Sequence, residues 1–236
     1  VADDGSILLQ EDPGNNARLA KIWRYNPSTD TLVELAQHNP ALFTGPGAIT
    51  QDEESSGIVD ITSFLTAVSG YDTTKYSYFL IADQIHKSVT TPTSQVEIGE
   101  LSVMATAKAD AKQQIVPETA LPAQAFLVGT EGRAVFREVI DAGEQGNNGY
   151  RFNGIPDGIG VTDDGDGTLR VLVAHEFQST AGDVRAHGSK GAYVSDLTID
   201  KATLSVISGK DFLASANDLF LASADGTTWT NGATTA

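Results

Sequence analysis

Carboxylates dominate the chemistry this chain can offer. Glu11-Asp12 and Asp52-Glu53-Glu54 cluster hard oxygen donors within two or three residues. Calcium takes roughly six to eight such oxygens at loose geometry, so grouped acids on loops suit it. Neighbouring residues of a strand point to opposite faces, so the three acids at 52–54 reach one ion only if that segment is a loop. Gly57 and the serines at 55 and 56 favour a loop; the plain alternative is a solvated acidic turn in a chain with 31 acids. His175-Glu176 follows the apolar run Leu169–Val173. Such a histidine can ligate a transition metal or act as a general base, and the glutamate can hold calcium. A pair that merely satisfies backbone groups at a strand end is the alternative. Arg185 and Lys190 lie either side of His187 in a loop with Gly188, Ser189 and Gly191. They could grip a phosphate oxygen, since the guanidinium fork matches that geometry; an ordinary polar turn is the other reading.

Other polar clusters point to turns. Asp163-Asp164-Gly165-Asp166-Gly167 has the look of a small calcium loop but lacks the twelve-residue frame ending in glutamate, and reads better as a hairpin turn. Pro156-Asp157-Gly158 needs no function to explain it. Ser223–Trp229 is similar to an Asp-box but one residue short. His38 and His86 read as packing or surface histidines. No Gly-x-Ser-x-Gly elbow, Walker loop or dinucleotide fingerprint occurs.

These groups must be positioned by strands. Lys21–Tyr25 and Thr31–Leu35 alternate polar and apolar residues around Asn26-Pro27-Ser28-Thr29-Asp30, which predicts a hairpin over 21–36. Further hairpins are expected at 159–176, at 192–207 and at 219–229. Tyr76–Ala82, Val96–Ala105 and Arg133–Ile140 add strands. Helix signals are limited to Ile58–Val68 and Lys108–Gln114. About a dozen strands joined by tight turns predict an all-β sandwich or propeller. Residues 106–125, rich in Ala, Lys, Gln and Pro, read as a linker between segments 1–105 and 126–236, or as a surface excursion within one domain.

Composition sets limits on function. With 236 residues the chain can bury a real core. A formal net charge of −16 argues against a nucleic-acid partner, which needs a basic face. No apolar run reaches the roughly 18 residues a membrane span requires. The absence of cysteine removes disulfides, thiolate metal sites and cysteine nucleophiles. Val1 in place of an initiator methionine suggests a processed or partial chain.

Several segments together resemble the PhoX-type alkaline phosphatases. They are Leu9–Asn16, Ile22–Tyr25, Gln51–Gly57, Gly154–Gly158, Val173–Glu176 and Arg185–Gly191. The resemblance implies a secreted or periplasmic bacterial protein, a β-propeller fold, and hydrolysis of phosphate monoesters with calcium and iron. It implies metal-ligand roles for Glu11, Asp12, Asp52, Glu53, Glu54, Asp157 and Glu176, and catalytic or phosphate-holding roles for His175, Arg185 and Lys190. Three departures stand out. The segments run in permuted order, the family's middle region is missing, and its metal-ligating cysteine has no counterpart. The expected fold is thus a partial or permuted propeller of about three four-stranded blades. Two functions compete: a metal-dependent phosphatase-like enzyme acting on a phosphate ester, and a non-catalytic extracellular structural or filament-forming subunit that self-associates.

Overall fold

The computed structural model describes residues 1–2, 5–108, 126–215, 218, 220–222 and 228–231. Among them lie fourteen strands: β1 (Ile7–Gln10), β2 (Lys21–Asn26), β3 (Thr31–His38), β4 (Glu53–Asp60), β5 (Tyr76–Ser88), β6 (Glu97–Ala107), β7 (Leu127–Gly129), β8 (Ala134–Asp141), β9 (Pro156–Asp163), β10 (Thr168–His175), β11 (Tyr193–Asp200), β12 (Val206–Asp211), β13 (Phe220–Ala222) and β14 (Trp229–Asn231). The one described α-helix, α1 (Pro40–Phe43), is a single turn: Asn39 caps it by accepting from the Ala41 amide at 3.0 Å, and Pro40 sits where no amide is needed. The predicted helix at 58–68 is instead the end of β4 and a short 3₁₀ turn, Thr62–Leu65.

The strands form three four-stranded antiparallel sheets, ordered β1-β2-β3-β7, β4-β5-β6-β8 and β12-β11-β10-β9, and the small pair β13-β14. All four predicted hairpins are present, since β2/β3, β9/β10, β11/β12 and β13/β14 each pair antiparallel. Strands β7 and β8 complete sheets begun by β1–β3 and β4–β6, so residues on both sides of 109–125 share two sheets. The Asp-box-like segment 223–229 and the helix signal 108–114 fall largely outside the described residues, as does most of the predicted linker.

The all-β class holds, but the propeller does not, and with it the resemblance to PhoX-type phosphatases is overturned. The three sheets are separate, and none is closed or curled into a propeller blade. The strand count came from turn chemistry, which acts over a few residues. How sheets are disposed depends on side chains far apart in sequence.

The central sheet, β4-β5-β6-β8, is packed on both faces. On one side Phe79, Ile81, Met104 and Phe136 meet Ile22, Leu35, Ala36 and Leu127 of the first sheet. On the other, Leu80, Ala82, Leu101, Val103 and Ile140 meet Leu169, Val171, Val173, Leu197 and Ile199 of the third. A sheet buried on both faces reads as a continuous apolar run rather than an alternation, and Tyr78–Ala82 of β5 does so. Strand β9 lies close against this sheet. A Cβ on Gly57 would stand 2.2 Å from the Asp157 carbonyl oxygen, and one on Gly99 would stand 2.5 Å from Pro156 Cδ. By contrast, Gly158 faces outward, and its Cβ would meet nothing nearer than Ala174 Cβ at 4.0 Å. We therefore expect Gly57→Ala to cost about 1–3 kcal/mol, the usual penalty of overpacking. Gly158→Ala should be close to neutral. Denaturant midpoints at unchanged slope are the check, and equal midpoints for both variants would contradict this packing.

Candidate functional site

Topology brings the sequence-selected residues to one rim. Strand β1 ends at Gln10, β4 begins at Glu53, β9 begins at Pro156 and β10 ends at His175. The Gln10 side-chain amide donates to Ser55 Oγ and to the Gly57 carbonyl, at 3.5 Å in the second case. Gly57 lies against Asp157, and His175 is paired with Pro156. Glu11, Asp12, Asp52, Glu53, Glu54, Asp157 and Glu176 therefore share one end of the stacked sheets, and the loop holding Arg185 and Lys190 leaves from it.

Sharing a rim is not converging on a point. Segment 53–60 is a strand, not the expected loop, so Glu53 and Glu54 turn to opposite faces. Glu53 is buried, and its Oε1 accepts from the Ala20 amide at 3.4 Å. Glu54 accepts from Ser56 Oγ at 2.9 Å; burial, and the neighbouring Asp12 carboxyl, push its pKa up. Glu11 is engaged by the Trp23 indole at 2.9 Å and by Arg18. Asp12 folds back on the Gly14 amide at 2.9 Å. Asp52 and Asp157 are half-buried and Glu176 is exposed. Among the described residues no group of three or more His, Asp or Glu side chains is gathered so as to hold a metal ion, which corrects the expectation of a metal-binding protein. The acidic hairpin turn behaves as a turn: Asp163 accepts from the Gly165 amide at 2.8 Å and pairs with Lys201.

His175 is wholly buried, with both ring nitrogens in use. Nδ1 lies 3.0 Å from the Gly154 carbonyl and Nε2 lies 2.9 Å from Ser195 Oγ. The ring stacks on Tyr193 at 4.3 Å and meets Phe152 and Phe177 edge-on. Burial drives its pKa down to about 4, so the neutral ring prevails near neutral pH. Ser195 is itself fully buried behind Tyr150, whose hydroxyl lies 2.9 Å from Ser195 Oγ and donates to Asp211 at 3.0 Å. Arg185 covers the other face of this assembly. Its guanidinium lies 3.7 Å from the Tyr193 ring centroid, donates to Tyr150 Oη at 2.9 Å and forms an ion pair with Asp211. Asp211 also accepts from the Ala186 amide at 2.7 Å, so Arg185 clamps its own loop to the third sheet. Lys190 is exposed.

Sequence reasoning missed a row of acids inside the stack. Cross-strand register sets Ser55, Asp83, Glu100 and Asp141 side by side across β4, β5, β6 and β8. His38 of β3 reaches over from the first sheet, with Nε2 2.9 Å from Asp83 Oδ1 and Nδ1 3.3 Å from the Ala20 carbonyl. Burial disfavours the charged imidazole, but Asp83 and Glu53 outweigh it and raise the His38 pKa. Asp83 and Glu100 are raised chiefly by burial, Glu100 also by its acidic neighbours. Asp141 is pushed up to about 7 by burial and by Glu138 and Glu144. An Asp within the apolar run Phe79–Ile85 was the available signal.

Compared with known proteins, the chain matches no family model, no curated protein and no solved structure.

Two outcomes follow for stability. Asp141 keeps its proton in the fold up to about pH 7 but loses it near its ordinary 3.8 when unfolded. Its contribution is complete below about pH 4 and drains away as pH rises to about 7. Burial of neutral His175 acts with the opposite sign, costing stability as pH falls from 6.5 toward 4. Asp141→Asn isolates the first effect: its stability relative to the parent should climb between pH 4 and 7, measured by urea titration. A difference independent of pH would refute the assignment. Ser195→Ala strands the buried His175 Nε2, and should cost about 1–3 kcal/mol in urea titration.

Proposed function

We propose that the chain is a non-catalytic extracellular structural subunit. One observation carries this reading: the side chains with the greatest chemical promise are consumed inside the fold. His175 spends both nitrogens on Gly154 and Ser195. Arg185 is committed to Asp211, Tyr150 and Tyr193. A general base needs a reachable nitrogen, and a phosphate grip needs a guanidinium not already neutralised. The same fold leaves Leu9 and Leu32 exposed on the first sheet, as an associating protein would. Among the described residues no helix is long and apolar enough to cross a membrane.

A second reading, phosphate-monoester hydrolysis assisted by calcium, is favoured by the common rim of the candidate acids. Glu11, Asp12 and Glu53 are already engaged within the protein. A metal would therefore have to rearrange the rim, and no reaction step is assigned to it.

Hydrolysis of p-nitrophenyl phosphate, with and without added calcium or iron, separates the two. The structural reading expects turnover no greater than a heat-denatured blank, for the parent and for Glu176→Gln and Lys190→Met alike. Turnover abolished by those variants would replace it with the hydrolytic reading.

A further inference from the structure

Resting on the structural reading, we propose that two copies of this chain associate face to face through the outer face of the first sheet, in a two-fold symmetric contact. Register defines that face. Leu8, Gln10, Ile22, Arg24 and Ala36 point inward, toward the central sheet. Ile7, Leu9, Trp23, Tyr25 and Leu32 therefore point outward, with Ile7 opposite Tyr25, Leu9 opposite Trp23, and Tyr25 opposite Leu32. Leu9 is 45% exposed and Leu32 53%. Three aliphatic and two aromatic side chains thus share one exposed surface, in the composition that interfaces favour.

Charge argues for a second copy as the occupant. The chain as a whole carries 31 acids and 15 bases, so most surfaces of two copies repel. This face is mixed instead. Lys21 pairs with Glu34 at 2.6 Å and lies 5.3 Å over the Trp23 ring, while Arg18 pairs with Glu11 beside the same indole. A patch holding both signs around an apolar centre is self-complementary under a two-fold axis, as an isologous contact requires. The outer face of the third sheet is less suited. Phe212 is exposed there over Arg170, but around it lie bare Gly158 and Gly160 and a polar row of Arg170, Asp196 and Lys210. Four strands spaced about 4.8 Å apart, the longest of them β3 at about 26 Å, give a footprint of roughly 15 by 25 Å at most. That is small for a stable interface, so dissociation in the range of about 10–100 μM is expected.

Sedimentation of the full chain from about 1 μM to about 1 mM tests this against that range. The parent should shift from monomer to dimer. Leu9→Glu with Leu32→Glu should remain monomeric throughout while keeping the parent's thermal melt; Leu32→Ser, a milder change, should weaken dimerisation about ten- to a hundredfold, because a two-fold contact loses two half-exposed leucines. If the double variant dimerises like the parent, this face is refuted while assembly itself stands. A parent that stays monomeric at every concentration overturns both the face and the assembly it rests on. Larger open oligomers that the double variant does not prevent would place the contact on another surface.

Discussion

Burial of the central sheet on both faces is the constraint from which the rest of the structure follows. Strands β5 and β6 have no solvent side along most of their length, so both sets of alternating side chains are largely apolar, and the polar exceptions are costly: Asp83 Oδ2 and both side-chain polar atoms of Gln84 are buried without a hydrogen-bond partner among the described residues. Two cores result, one under each covering sheet. The covering sheets can then afford a wet outer face, and their strands alternate accordingly. Gly57, Gly99 and Gly154 belong to the same constraint, because β9 and the segment before it come too close to the central sheet for a side chain there. Remove either covering sheet and one face of β5 and β6 meets water, which is why the three sheets stand or fall together.

Polar groups caught in this arrangement carry most of its electrostatic stress. Asp83 and Glu53 are buried around one histidine with Glu100 beside Asp83, and His38 can balance a single negative charge. Holding protons is the cheapest way to keep several carboxyls out of water, since an unpaired buried charge costs several kcal/mol. The raised pKa values across Asp83, Glu100 and Asp141 express that one fact. At the far side of the stack a different solution appears. There His175 is kept neutral by burial, and a single full cation, Arg185, is matched by Asp211 and spread over Tyr193. The clamp fixes the loop after β10 to the third sheet, so the residues most suggestive of phosphate chemistry hold the architecture together.

Function is read from what these demands leave over. Inside the stack His38 holds Asp83 and His175 is held by Gly154 and Ser195, and the rim acids are divided between strand faces, turns and local hydrogen bonds. Among the described residues, the aromatic and aliphatic outer face of the first sheet is an unpartnered surface of coherent chemical character. Its mixed charges set it apart on a strongly anionic molecule, and association through it needs no feature beyond those the fold already presents.

Turn chemistry made much of this legible in advance. Asn26–Asp30 and Asp163–Gly167 specify hairpins because their side chains bond their own backbone within two residues, and the four predicted hairpins all form. The run Lys21–Tyr25 likewise marked β2 as a strand but not its inner face, since Arg24 turns inward while Trp23 and Tyr25 turn outward. Interactions of this kind span only a few residues, so the sequence by itself decided the all-β class and the hairpins. It could not decide that Glu53 and Glu54 would diverge on a strand, that Asp83 would meet His38 from forty-five residues away, or that Arg185 would be neutralised by Asp211. Nor could it decide that the sheets would stack separately instead of forming a propeller. Those outcomes depend on which distant surfaces meet, and only the tertiary structure supplies that, because burial and pairing are properties of the packed chain and not of its local pattern.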